Sequence, residues 1–300
     1  MHEGLDLFIL GTAFCGSTLL GNALNAHPEF TFLGELNRLP SFRQFEGPLS
    51  REGQYVTRCA VCGTRPEYDC PVWTRALVAE LEALRPGDAL EPFRRAGRGR
   101  VLVEGSKNPS WLRRVVADRG TAAGVRVVHC VRSPFAFCLS YGRRTGSPAW
   151  MGAAVWRDTV YDVIRTCAHH GGIPVLTVGY ESLAADPGGT LGRVCEFVGR
   201  AFDRRMLQFW EEPVHPLGGN YGAYVRYPGY HAPGVPGEWR DSPPRYEGKP
   251  FGGWADRRWL TELRREEVTE VLYNPGLADA AGLAGYSLAR ELEEFFSAAP

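Results

Sequence analysis

The sequence predicts an α/β fold: a P-loop-type, mainly parallel sheet flanked by helices, with a Cys-containing insertion and an aromatic-rich C-terminal lid. Three observations predict it. Short apolar runs alternate with helix-period segments, the pattern of βαβ units. Four helix starts carry a capping side chain followed by proline, at Asn108-Pro109, Ser133-Pro134, Ser147-Pro148 and Asp186-Pro187. A glycine-bounded loop, Gly11 to Thr18, joins the first apolar run to an apolar helix over Leu19 to Ala26.

In chain order, the strands fall at Leu5–Leu10, Phe30–Leu33, Val101–Val103, Val125–Val131 and Pro174–Val178. With 300 residues, 44% of them hydrophobic, the chain can bury the core of a single domain over 1–300. Two stretches break the alternation. Asn37 to Trp73 reads as an insertion with three of the eight cysteines. Residues 213–257 form a Gly-, Pro- and aromatic-rich segment, with Tyr221, Tyr224, Tyr227, Tyr230, Trp239 and Tyr246, and read as a lid or acceptor loop. Helical spacing returns over Asp256–Tyr273 and Ser287–Ser297.

Lys+Arg and Asp+Glu number 34 each, which argues against nucleic acid or an anionic membrane as partner. No run approaches the roughly 20 apolar residues of a membrane span. Met1 to Asp6 holds acids and no positive n-region, so no signal peptide is expected and the chain reads as cytoplasmic. Cysteines in that setting are thiols or metal ligands before they are disulfides. Oligomeric state is not legible.

Phe14, Cys15, Gly16, Ser17, Thr18 and Leu19 form the candidate phosphate loop. Gly16 lets backbone approach an anion, the unpaired amides of the helix start attract it, and Ser17 and Thr18 add hydroxyls. Ser17 stands where a nucleoside-triphosphatase has its lysine, which disfavours Mg²⁺-dependent phosphotransfer. The plain alternative is a strand-to-helix turn. A second candidate follows the strand Val125–Val131: Arg132 at its carboxyl end, with Ser140 two helical turns beyond Ser133 on the same face. An arginine fork beside a hydroxyl suits a phosphate monoester.

Together these segments resemble the sulfotransferases that use 3′-phosphoadenosine-5′-phosphosulfate (PAPS), in particular the bacterial and tyrosylprotein branches. That family has a lysine-free phosphate loop and an Arg with a Ser eight residues on, as Arg132 and Ser140 are here. His27-Pro28-Glu29 with Gly34-Glu35-Leu36, Gly105-Ser106-Lys107-Asn108-Pro109, and Tyr180-Glu181-Ser182-Leu183 with Asp186-Pro187 resemble further family elements in the same order. A looser likeness extends to Gly234–Arg240.

The resemblance implies PAPS as donor, 3′-phosphoadenosine-5′-phosphate as product, and a small-molecule hydroxyl or amine as acceptor. It assigns Glu35 as general base and Lys107 as the cation at the leaving oxygen. The phosphate loop would hold the 5′-phosphate, and Arg132 and Ser140 the 3′-phosphate. His27 and His215 are rival bases. Phe14 departs from the family, which usually has Arg or Lys there. Either Lys107 supplies the charge alone or the site binds nucleotide without turnover; a non-catalytic relative and a P-loop kinase or NTPase are the alternative functions. The carboxyl-terminal cations of the family's cytosolic branch are also missing at Pro233-Gly234-Val235, with Arg226 or Arg240 as candidate substitutes.

Cys59-Ala60-Val61-Cys62 has zinc-knuckle spacing, and Cys70-Pro71 follows. Cys59, Cys62 and Cys70 are therefore candidate ligands of a structural zinc, one short of the usual four, with thiols or a disulfide as alternatives. The remaining cysteines, Cys130 and Cys138 among them, read as packing residues.

Overall fold

A computed structural model describes residues 4–39, 59, 61, 70–220, 223–224, 227, 251–252 and 255–298. Five parallel strands, β1 (Leu5–Gly11), β2 (Phe30–Gly34), β3 (Val101–Lys107), β4 (Val125–Val131) and β5 (Val175–Gly179), lie in the order β2-β3-β1-β4-β5. The fold is the expected helix-flanked, mainly parallel α/β sheet.

Strand alternation divides the core. Leu7 and Ile9 of β1 face one side, where α1 (Ser17–Asn25), the helix Pro187–Phe197 and the turns of Arg204–Glu211 cover them. Phe8 and Leu10 face the other, against Trp111, Leu112 and Val115 of the helix Pro109–Arg119 and Val163 and Cys167 of the long helix Ala149–His169. A parallel sheet needs cover on both faces, which explains its nearly unbroken apolar strands. A third cluster joins the helix Pro134–Thr145 and the long helix to the C-terminal helices, through Phe135, Trp156, Trp259 and Phe295.

The capping side chains act as read at three of four positions. Asn108 accepts from the amides of Ser110 and Trp111, Ser133 from Ala136 and Asp186 from Gly189. Ser147 does not cap: Pro148 itself is the N-cap of Ala149–His169, and the first-turn amide of Trp150 donates instead to Glu270 Oε2 (3.4 Å). The strand expected to end at Val103 continues to Lys107. Its polar extension survives burial because Glu104 accepts from the amides of Leu36 (3.1 Å) and Ser106 (3.1 Å). The segment Asp256–Tyr273 is broken into Trp259–Glu262 and Arg265–Leu272, and a helix not anticipated, Leu277–Leu283, follows.

Candidate active site

The glycine loop, Glu35, Lys107 and Arg132 each lie at or just past the carboxyl end of a strand, where open α/β sheets bind ligands. The loop after β1 turns into α1 through Gly16, which adopts the left-handed conformation (φ 87°) and offers no side-chain cap. The first intrahelical bond runs from the Leu20 amide to the Gly16 carbonyl (3.0 Å), so the amides of Ser17, Thr18 and Leu19 project from the helix start. Ser17 and Thr18 are buried, and the Thr18 hydroxyl accepts from the Asn220 amide (3.0 Å). Cys15 is fully buried opposite Cys130; a hydrogen bond from Cys130 lowers the Cys15 thiol against the opposing effect of burial.

Among described residues, Phe14 (φ 63°) and Lys107 (φ 61°) are the non-glycines in the left-handed region, and both border this site. Such backbone costs energy and persists where surrounding structure enforces it.

Glu35 follows β2 and pairs with Lys107 Nζ and with Arg38 Nη1 (3.0 Å). Burial pushes the Glu35 carboxyl up, but Lys107 and then Arg38 outweigh it and hold the group below the usual glutamate range. Burial likewise works against the Lys107 ammonium, and Glu35 more than compensates, raising its pKa. Beneath them, Glu104 is fully buried and pushed up to about 7 by burial, despite hydrogen bonds from Ser106 and Leu36.

Arg132, just past β4, donates to Ser140 Oγ (3.3 Å) and to the Phe14 carbonyl (3.5 Å), joining the two candidate phosphate positions. Its guanidinium lies 4.9 Å from the Tyr180 ring centre and pairs with Asp256 (3.1 Å), which also pairs with Arg258. Trp156 Nε1 fixes the Arg132 carbonyl (2.9 Å), and Glu181 accepts from the Ser133 amide (3.0 Å). Arg132 Nε and Thr12 Oγ1 are buried without a hydrogen-bond partner among the described residues. Two orphaned donors beside a helix start are what a phosphate-bearing ligand would satisfy.

A cavity of about 780 Å³ opens against the loop and Lys107. Phe14, Phe137, Tyr141 and Val155 give it apolar walls, and Asp158, Asp162, Arg144 and Arg165 add charge. Lys107 lines this cavity and also bonds Glu35, while Glu35, Arg132 and Ser140 lie outside its lining.

The rival bases are otherwise engaged. His27 Nδ1 accepts from the Glu29 amide (3.1 Å), so Nε2 donates to the Ala201 carbonyl (2.9 Å). His215 stands between Cys59 and Cys70. Cys62, Arg226, Arg240 and the Gly234–Arg240 likeness lie outside the described residues. Of the aromatic segment, Tyr224 and Tyr227 are buried in the core, where Tyr227 and Phe251 pack on Phe209 at 5.9 and 5.2 Å.

Sequence reasoning missed Asp256, Arg258 and Glu104 as neighbours of the site, and His215 as a neighbour of the cysteines. Asp256 and Arg258 had no motif. Glu104 had a signal, an acid directly after the apolar run Val101–Val103.

The parallel sheet with helices on both faces defines the class as α/β. The chain belongs to the sulfotransferase family: its family model matches residues 6–204. The structure is similar to the sulfotransferase domain from the curacin biosynthetic pathway, with 19% identity and a TM-score of 0.59 over 95% of this chain and 99% of that one. It is also similar to the sulfotransferase domain of the Synechococcus PCC 7002 olefin synthase, with 24% identity and a TM-score of 0.53 over 80% of this chain and 88% of that one. At these identities the likeness shows a shared fold. No curated protein matches the sequence. No described helix is long and apolar enough to cross a membrane.

Proposed function

We propose that the protein transfers a sulfuryl group from PAPS to a hydroxyl or amine of a small-molecule acceptor. The observation that carries this is the junction of the two phosphate positions: Arg132 bonds both Ser140 and the loop carbonyl of Phe14, with orphaned donors at Arg132 Nε and Thr12 Oγ1. PAPS supplies the sulfuryl group and a 5′-phosphate leaving group. The loop amides with Ser17 and Thr18 would hold the 5′-phosphate, and Arg132 and Ser140 the 3′-phosphate.

The chain's own part is positioning and charge. Glu35 is ionised and accepts the acceptor's proton on its carboxylate. While Lys107 pairs with it, its basicity is low; a Lys107 turned toward phosphate oxygens leaves Glu35 a stronger base. The 780 Å³ cavity along Lys107 is our assignment for the acceptor, its aromatic walls suiting a partly apolar small molecule. Likeness to domains named for a biosynthetic pathway and an olefin synthase supports a place in bacterial secondary metabolism. The balanced charge gives no reason to invoke nucleic acid or membrane as partner.

One observation favours a second reading. Phe14 turns its ring toward Phe137 (6.4 Å) where the resemblance expects a cation, which fits nucleotide binding without transfer.

Calorimetry with 3′-phosphoadenosine-5′-phosphate, ADP and ATP, with and without Mg²⁺, tests the donor site in wild type and Arg132→Ala. The reading expects preference for the 3′-phosphorylated nucleotide, indifferent to Mg²⁺ and lost in the variant. Mg²⁺-dependent preference for ATP would overturn it. Binding without transfer to any of a panel of phenols, alcohols and amines would leave the second reading.

A further inference from the structure

Three side chains from distant parts of the sequence meet beside the β2 edge. Cys59 Sγ lies 3.5 Å and Cys70 Sγ 3.6 Å from His215 Nδ1, and the three atoms lie within 4.8 Å of one another. Cys59 and Cys70 are buried and His215 partly so. Zinc with sulfur at about 2.3 Å and nitrogen at about 2.0–2.1 Å in a tetrahedron sets sulfur and nitrogen about 3.5–3.6 Å apart. Both observed separations have that length.

The surroundings fit a metal thiolate. The Trp73 amide donates to Cys70 Sγ (3.4 Å), as outer-shell donors do for ligating sulfur, and the Trp73 indole anchors the His215 carbonyl. Backbone bridges tie the place together: Leu217 pairs with Cys59 on one side and with Gly34, the last residue of β2, on the other. The Glu35 amide donates to the Leu217 carbonyl (2.8 Å).

We infer that Cys59, Cys70 and His215 bind a zinc ion that staples the cysteine-bearing insertion to the strap following His215, and so holds the strap against β2. The sequence places cysteine ligands within the insertion alone; the structure brings in a histidine 145 residues beyond Cys70. The ion is structural. His215 supplies Nδ1 as neutral imidazole, the cysteines bind as thiolates, and their two protons go to solvent on binding. The strap that it fixes reaches the site, since Gly218 borders Glu35 and the Asn220 amide bonds Thr18. Cys62 lies outside the described residues, and the inference rests on the three ligands named.

The test is metal analysis of the full chain, purified reduced, without chelator and without a polyhistidine tag. Roughly one zinc per chain is expected, falling below about a tenth of an equivalent in Cys59→Ser and His215→Ala and recovering in His215→Cys, which restores a ligand. Should the variants fail to fold, wild type alone decides. Cobalt(II) added to metal-stripped wild type should give tetrahedral thiolate absorption, saturate at about one equivalent and be displaced by zinc. Zinc-free, cobalt-silent wild type, full zinc in soluble His215→Ala, or a Cys59–Cys70 disulfide in the reduced protein by mass spectrometry would each overturn the inference. None of these readouts depends on nucleotide or sulfuryl transfer.

Discussion

Arg132 and Asp256 form a nearly buried ion pair, Nη2 to Oδ2 at 3.1 Å, and the same carboxylate also binds Arg258. Burial opposes the Asp256 charge, but the hydrogen bond from Arg258 and the charge of Arg132 hold its pKa well below the aspartate range. An anion is therefore already seated between two guanidinium groups where the proposed function puts a phosphate. Arg258 thereby enters as a second cation at this position, a role the sequence reading sought at Arg226 or Arg240.

If the 3′-phosphate takes that seat, Asp256 competes with it. Asp256→Ala should tighten 3′-phosphoadenosine-5′-phosphate by up to about tenfold, about 1.4 kcal/mol, while Arg132→Ala weakens it by at least as much. Calorimetry on both variants reads the two effects. Unchanged affinity in Asp256→Ala would put the phosphate elsewhere.

Glu35→Gln keeps the shape of the site and removes the proposed base. Turnover should fall about 10²–10⁴-fold with nucleotide affinity kept within about twofold. Because Lys107 and Arg38 hold the Glu35 pKa down, the group stays ionised well into the acid range. Wild-type kcat/KM should thus show no acid limb from Glu35 between pH 5 and 7. A limb near pH 7 would indicate Glu104, which burial raises to about that value.

Glu291, on the last helix, is pushed up to about 8 by burial, with Glu181 and Glu294 adding to the rise against a hydrogen bond to Ser133. The folded state favours its protonated form. Its contribution to stability is complete below the unfolded value of 4.5 and is lost as pH rises through about 8, by up to about 1.4 kcal/mol per pH unit. His129, lowered to about 4 by burial, acts in the opposite sense but only below about pH 6.5. Urea unfolding between pH 6.5 and 8 should show Glu291→Gln gaining on wild type as pH rises; parallel curves would mean that Glu291 does not titrate there.

Gly34 adopts φ 82°, and a methyl group there would run into the backbone of Leu217. Gly34→Ala should cost about 2–4 kcal/mol in denaturant unfolding, because left-handed strain and overpacking add. The same change pushes the strap away from Glu35, so turnover should fall in protein that remains folded. Wild-type stability in this variant would mean that the strap is not seated on β2.

Local chemistry made much of the fold legible. The strand from Val125 to Val131 is fully apolar apart from Arg126 and His129, and the structure reproduces its bounds. Asn108, Ser133 and Asp186 announce helices because their side chains satisfy amides within three residues of themselves. Glu104 to Lys107 was less legible: polar side chains end an apolar run on paper, whereas burial with amide partners keeps them in the sheet.

Among the site residues, those carried by a motif were legible one by one. Gly16, Arg132 and Ser140 declare themselves by spacing and by their place after strands, properties of contiguous chain, whereas Glu35 and Lys107 were singled out by the family resemblance. What each one touches was not legible. The Lys107–Glu35 pair spans 72 residues and the Cys70–His215 contact 145. Arg132 meets Asp256 from the far end of the chain. The sequence by itself determined the parallel α/β architecture, the capped helix starts and the glycine turn after β1, because period, capping and glycine placement act over a few residues. Only the tertiary structure decided that Glu35 is held by Lys107, that Asp256 sits on Arg132 and that His215 joins the cysteines. Such pairings depend on which strand ends the sheet order places side by side, and no local rule encodes that.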